Sequence, residues 1–364
     1  MTSPQTTEVG LVLQGGGALG AYEYGGITGL FDLIDEAEAK GRKITLKVVT
    51  GVSIGAINAA CVVGAHDRAD ARRRLAALWD DFIINTPPFL PPQVGRNLSL
   101  YGVPDFYAPR FDVLTIPSWT YVYDTHPLLH TLSSHIDFAA LNANETAFVI
   151  TAVDVESGEL TRFANRAIGE TKPTTIEPHH VVASGSLPPS FPWTDIADGA
   201  KVHHYWDGGI VDNTPLGDAI DAFSSGAGVQ RILVVMNLFP ATAKLPGSFT
   251  EVNDRMDQLR FGNRLHQDKE NAEMINDLIS TIEQLATLVP GELPADLKKK
   301  VGTASAYKLV EPIEISLVTD VASSDEYGFR DFSRQGVEAR RKAGHAITIE
   351  KLRPVFASAP VVSS

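Results

Sequence analysis

An internal disulfide is excluded at the outset, because the 364-residue chain carries a single cysteine, Cys61. It lies in a small-residue segment where packing is its expected role. A chain without disulfides suits a reducing cytoplasm. Positive charge is also short: 31 Lys and Arg stand against 44 Asp and Glu, a net charge of −13. That balance argues against nucleic acid as a partner and against broad adhesion to anionic membranes. No run approaches the roughly 20 apolar residues of a membrane span. Residues 1–10 lack the basic start and apolar core of a secretory signal. No internal repeat is apparent. Local basic clusters at Arg72-Arg73-Arg74, Lys298-Lys299-Lys300 and Arg340-Arg341-Lys342 read as solvated faces. The expectation is a cytoplasmic protein, with peripheral contact at membranes left open.

What is present is concentrated near the start. Val9 to Gln14 reads as a buried strand running into Gly15-Gly16-Gly17-Ala18-Leu19-Gly20 and then a helix. Leu46 to Thr50 reads as a second strand, leading into Gly51-Val52-Ser53-Ile54-Gly55 and another helix. The second pattern is G-x-S-x-G, a tight strand-to-helix elbow that exposes the serine hydroxyl, so Ser53 is the candidate nucleophile. The first offers backbone N–H groups with no side chains in the way, at Gly15, Gly16, Gly17 and Ala18, a candidate oxyanion hole.

Gly15, Gly17 and Gly20 also fit the dinucleotide fingerprint, which needs an acid at the end of the next strand. That strand ends in Thr50-Gly51-Val52-Ser53 and has none. A phosphate-cradling loop would need a Lys-Ser or Lys-Thr pair after the glycines, and none follows. A turn without chemistry remains the bland alternative.

A third element lies downstream at Tyr205-Trp206-Asp207-Gly208-Gly209-Ile210-Val211-Asp212-Asn213-Thr214-Pro215-Leu216. Alone, it could be an ordinary Asp-Gly turn. Together with the glycine loop and the serine elbow, in that order, it resembles the patatin-like phospholipase family. The small-residue segment Val182 to Pro192 resembles a further block of that family. The resemblance covers most of residues 9–220, and Phe329 to Ser333 resembles, more loosely, the tail of a bacterial branch. It implies an α/β fold with a mostly parallel sheet flanked by helices, and lipid acyl hydrolase activity needing no cofactor. It also implies a dyad of Ser53 as nucleophile and Asp207 as base, supported by Gly20, Gly51, Gly55, Gly208 and Gly209. Leu19 departs from the family's usual Lys or Arg.

A free carboxylate, with a pKa of about 3.9, is a weak base at neutral pH. The dyad therefore requires Asp207 to be held close and partly desolvated. A Ser-Asp-His triad through His266 or His345 is the rival, although Ser53 follows too few strands for an α/β-hydrolase. His126 and His130 have i, i+4 spacing, but no H-E-x-x-H pattern or third ligand accompanies them, so no metal is expected. A lipid-binding scaffold without turnover, or a thioesterase, would share most of these features.

Further strands are expected at 147–155, 231–238 and 313–319, with a turn at Glu156 to Glu159 joining two antiparallel strands. Residues 85–123 interleave prolines with aromatics, including Phe106, Tyr107 and Phe111, and read either as a lid or as a satellite core. Residues 251–289 read as a long helix with an apolar stripe from Met274 to Leu285, suited to the core or a partner subunit. Residues 1–240 are thus the expected catalytic domain. Residues 241–364 are an expected helical extension packed on it, which would also offer a route to oligomers. The expected partner is a lipid or acyl ester.

Overall fold

Strand β1 (Thr6–Leu13) is buried along nearly its whole length, and so is β5 (Ala147–Asp154). Such runs, apolar on both faces, belong in the middle of a parallel sheet covered by helices. In the computed structural model β1 lies between β2 (Ile44–Gly51) and β9 (Val229–Asn237), parallel to both. The described residues are 6–87, 89–99, 101–224, 229–239, 242–243, 245–288, 292–306, 312–316 and 328–357.

The eight-stranded sheet runs β10-β9-β1-β2-β5-β8-β7, with β6 paired to β5. β6 (Leu160–Ala164), β7 (Thr194–Asp198) and β8 (Lys201–Asp207) are antiparallel additions; β10 (Pro312–Ser316) joins β9 in parallel. The sheet is mixed, mostly parallel and flanked by helices. A two-stranded ladder, β3 (Ala108–Pro109) with β4 (Tyr123–Asp124), stands apart. The β7–β8 hairpin has no counterpart in the sequence reading, because its exposed outer residues give no clean alternation. Residues 317–319 of the last expected strand lie outside the described residues.

Register decides where the ends of the strands fall. β6 occupies one edge of β5 from Val149 to Val153. β2 pairs with Ala147 to Ile150 and β8 with Ala152 to Asp154, so both must share the opposite edge. They approach from opposite directions and meet head to head at Thr151. Gly51 ends one strand and Asp207 ends the other.

Helix α1 (Gly20–Glu38) follows β1, and α2 (Ile54–Val63) follows β2. Next come α3 (Arg68–Phe82), α4 (Pro92–Ser99), α5 (His126–His135), α6 (Phe138–Ala143), α7 (Pro178–Ser184) and α8 (Leu216–Asp221). The C-terminal part contributes α9 (Phe249–Leu288), α10 (Ala295–Ala306) and α11 (Arg334–Ala357). Along α9, Ile279 is buried, while Met274, Leu278 and Leu285 are exposed. The buried Cys61 thiol is pushed up to about 12 by desolvation, which makes it a poor nucleophile. No helix among the described residues is long and apolar enough to cross a membrane.

The 85–123 segment divides into two parts. Phe106 and Tyr107 are buried, Phe106 stacking on Phe82 at 4.8 Å and meeting Phe332 and Phe191. Phe89, Tyr101, Phe111 and Leu114 are exposed. The inner half is therefore satellite core and the outer rim presents apolar surface. Proline does not prevent a helix here, because α4 starts at Pro92, where a missing N–H costs nothing.

Helices α1 and α11 pack almost backbone to backbone. A Cβ on Gly344 would lie 1.9 Å from the Tyr22 carbonyl oxygen, and one on Gly25 would lie 1.9 Å from that of Arg341. Neither backbone can yield without moving its helix. Gly344→Ala should therefore destabilise the protein by about 1–3 kcal/mol or more in denaturant unfolding. Gly217→Ala, where nothing lies within 4 Å, is the control and should change stability little. Equal effects would mean that α11 is not held closely to α1.

Candidate active site

Ser53 sits at the N-cap of α2 with φ 54° and ψ −122°. Among the described residues, it alone of the non-glycine residues has positive φ. Such a conformation costs on the order of 1–3 kcal/mol and persists only where the surroundings enforce it. They do. A Cβ on Gly51 would lie 2.5 Å from the Gly55 carbonyl oxygen, and one on Gly55 would lie 2.6 Å from that of Leu13. Only glycine at both positions lets the elbow close against the end of β1. The Val52 N–H donates to Leu13 O, and the Ser53 N–H donates to the carbonyl and hydroxyl oxygens of Ser184 at 3.1 and 3.0 Å.

Asp207 arrives from the other side. It is 3% exposed, and the Gly209 N–H donates to its Oδ1 at 2.8 Å. The Ser53 hydroxyl lies near enough to the carboxylate to lower its pKa as well. Burial nonetheless dominates and pushes the Asp207 carboxyl up to about 7, against the influence of both groups. Gly208 packs on Thr151, whose carbonyl oxygen would lie 2.5 Å from a Cβ there, so a side chain could not be placed where the two strands meet. The C-terminal end of α7 and the turn after it bridge the pair: Ser184 O accepts from Ser53 N–H, and Ser186 O accepts from Asp207 N–H.

The glycine loop is pinned by Asn213. Its Oδ1 accepts the Gly15 N–H at 2.9 Å and its Nδ2 donates to Gly15 O at 3.1 Å. Gln14 adds a bond from Nε2 to Thr214 Oγ1 at 2.7 Å. The Gly15 N–H is thus taken by Asn213, which anchors the loop at this position. Ala18 is fully buried, and its carbonyl faces Arg340. Gly16 and Gly17 are partly exposed, and among the described residues no acceptor takes their N–H groups. Gly17 has φ 54°, and a Cβ there would lie 2.4 Å from Phe329 O, so the loop tolerates only glycine. Gly20 starts α1 against Ile54, tying the two motif helices together.

Leu19 is 5% exposed and packs in the core. Beneath the loop, the Asn58 amide donates to Gly20 O and to Glu23 Oε2, while Trp79 Nε1 donates to Asn58 Oδ1. Glu23 is fully enclosed, and desolvation raises its carboxyl well above the ordinary range.

The histidines lie elsewhere. His345 bonds Asp32 at 2.9 Å, on the part of α1 about 18 Å from its start. His203 bonds Asp154, His204 bonds Asp195, and His180 caps α7 with Glu177. The side chain of His266 lies outside the described residues. Among the described side chains no histidine touches Ser53 or Asp207. Of the basic clusters, Lys298, Lys299 and Lys300 are exposed, Arg72, Arg73 and Arg74 pair with Asp32, Asp35 and Asp70, and Arg340 departs from a solvated face by being buried.

Asn213 and the Ser184–Ser186 bridge carry no signal that assigns them a role from sequence, although both fall inside segments that the motifs mark. The assembled parts are a serine hydroxyl on a near-neutral carboxyl, a helix N-terminus behind the serine, and two unclaimed N–H groups on the neighbouring strand end.

No curated protein matches the chain. Among solved structures, VipD from Legionella pneumophila is similar at 15% identity and a TM-score of 0.40, over 96% of this chain and 67% of that one. The ExoU–SpcU complex from Pseudomonas aeruginosa matches at 14% identity and a TM-score of 0.31, over 97% and 77%. Residues 11–220 match the family profile described as patatin-like phospholipase. That match spans more than half of the chain, which belongs to the patatin-like phospholipase family.

Proposed function

We propose that the protein is a serine lipid acyl hydrolase acting through a Ser53–Asp207 dyad and an acyl-enzyme. The observation that carries this reading is the Ser53 hydroxyl set beside a carboxyl that burial pushes up to about 7. A general base works best when its pKa is near the working pH. Ser53 Oγ attacks the ester carbonyl carbon while its proton passes to Asp207. The oxyanion forms against the N–H groups of Gly16 and Gly17, with the N-terminal end of α2 adding positive potential at Ser53. The tetrahedral intermediate collapses, and the alcohol leaves with the proton from Asp207. Water then attacks the acyl carbonyl carbon, giving a proton to Asp207; the bond to Ser53 Oγ breaks, Ser53 Oγ takes that proton back, and the fatty acid is released. No cofactor enters this scheme.

The apolar rim of residues 85–123 supports a lipid as substrate. Backbone N–H groups of Val122 and Tyr123 donate to Pro189 O and Ser190 O, just beyond the segment that holds Ser53. The rim is thus connected to the site and offers surface to an acyl chain or, transiently, to a membrane. Leu19, the departure from the family pattern that would favour a non-catalytic lipid-binding role, has its side chain buried in the core.

A fluorophosphonate probe should label Ser53, as mapped by peptide sequencing, and Ser53→Ala should lose both labelling and ester hydrolysis. Labelling at another serine in that variant would overturn the assignment. The pH–rate profile of kcat/KM should rise through a value near 7, because only the ionised Asp207 accepts a proton.

Asp207 also makes a stability prediction. Its folded pKa is raised, so the folded protein holds a proton that the unfolded chain releases at about 3.9. Stability should therefore fall as pH rises between about 4 and 7, by up to about 1.4 kcal/mol per unit, and level off above. Asp207→Asn should remove this component of the pH dependence and be inactive. An unchanged stability profile in that variant would show that Asp207 is ionised at low pH in the native state.

Replacing exposed Phe111 and Leu114 by serine should lower hydrolysis of long-chain lipid dispersions and spare short aryl esters, because lost apolar contact affects only the bulky substrate. Equal losses on both substrates would remove the rim from substrate handling.

A further inference from the structure

Arg340 is 1% exposed, among the largest fully buried side chains of the protein. Burying a guanidinium is costly unless its donors are met. Here Nη1 donates to Asp331 O at 2.8 Å and Nη2 to Gly328 O at 3.1 Å. Nη1 also faces Ala18 O at 3.5 Å, a long contact whose value is electrostatic. The carboxylate of Asp331, itself fully buried, lies 3.7 Å from Nη2 and 3.3 Å from Nε of Arg96 on α4. Arg340 therefore grips both ends of the turn 328–331. The middle of that turn presents Phe329 O to Gly17, close enough that a Cβ would be 2.4 Å away. One cation thus touches the glycine loop directly at Ala18 and indirectly through the turn pressed on Gly17.

We propose that Arg340 is a positioning residue for the glycine loop, holding Gly16 and Gly17 from behind through Ala18 and the 328–331 turn. The role of those two N–H groups rests on the esterase reading above; the packing argument does not. A guanidinium suits this place because its planar fork meets several carbonyls at once, which neither a leucine nor a lysine can do. Desolvation lowers its pKa to about 9, with the charge of Arg96 adding to the effect. That the fold carries this cost beside the loop, and not at a neutral packing site, is what points to a role in geometry.

The test uses Arg340→Met and Arg340→Lys in the full chain, with two readouts. Backbone amide hydrogen exchange of peptides covering residues 14–20 should speed up at least about tenfold in Arg340→Met, while β1 and β5 keep their protection. Arg340→Lys, which retains charge and stem but not the fork, should lie between it and the wild type. It also serves if the Met variant does not fold. Where the wild type hydrolyses an aryl ester, kcat should fall about tenfold or more with KM little changed, because the loop acts on the transition state. Unchanged loop exchange in both folded variants, or a uniform rise across the sheet, would overturn the proposal. A wild type that neither turns over ester nor reacts with the fluorophosphonate would defeat the esterase reading and leave the exchange result to decide the role of Arg340.

Discussion

A carboxyl taken out of water and set against a serine hydroxyl is the contact on which the rest of this structure turns. In the proposed dyad, an Asp207 left in solvent would be a base too weak to activate Ser53 at neutral pH. Buried without partners, it would simply stay protonated. The fold places it between these limits. A hydrogen bond from the Gly209 N–H and the nearby Ser53 hydroxyl favour its charged form, and desolvation outweighs them enough to push the pKa up to about 7. A third strong donor would return the carboxyl toward its ordinary range and weaken it as a base.

The same contact explains the sheet. Two strands that meet head to head on one edge of β5 can bring their terminal residues together only if nothing projects into the gap. The strand ends are accordingly Gly51 and Asp207-Gly208, packed around Thr151. Strain at Ser53 follows from this. The elbow must turn sharply enough to aim Oγ at a carboxyl arriving from the opposite direction. The main-chain bonds from Ser53 to Ser184 and from Asp207 to Ser186 hold that turn in place.

How much of this was legible in the sequence depends on the range over which each feature is encoded. Glycine motifs state a local requirement, that a backbone approach something closely, and so the loops at 15–20, 51–55 and 207–209 could be located. The strands β1, β2, β5, β9 and β10 announce themselves by short apolar runs. The fate of the Gly15 N–H could not be read, because its acceptor, Asn213, lies 198 residues away. Arg340 could not be told from Arg341 and Lys342, which share its composition window. Only the three-dimensional packing of α11 on α1 and the loop encloses one and leaves the others nearer to solvent. Phe106 and Phe111 are a similar pair, both aromatic and both near prolines, with one stacked on Phe82 and the other exposed.

That last distinction bears on how access and chemistry are connected. The buried half of the 85–123 segment is not free to swing away, because Phe106 is part of an aromatic cluster with Phe82, Phe191 and Phe332. Phe332 follows Asp331, which meets both Arg96 of α4 and Arg340 of α11. Ile84 N–H donates to Phe332 O at the entrance to the segment. A displacement of the inner half would therefore disturb the turn that backs Gly17, whereas the outer rim around Phe111 and Leu114 can move without doing so. On the proposed esterase reading, substrate contact at the rim and donor geometry at the loop are thus separable in this fold. The aromatic cluster and the Arg96–Asp331–Arg340 ion pairs form the fixed boundary between them.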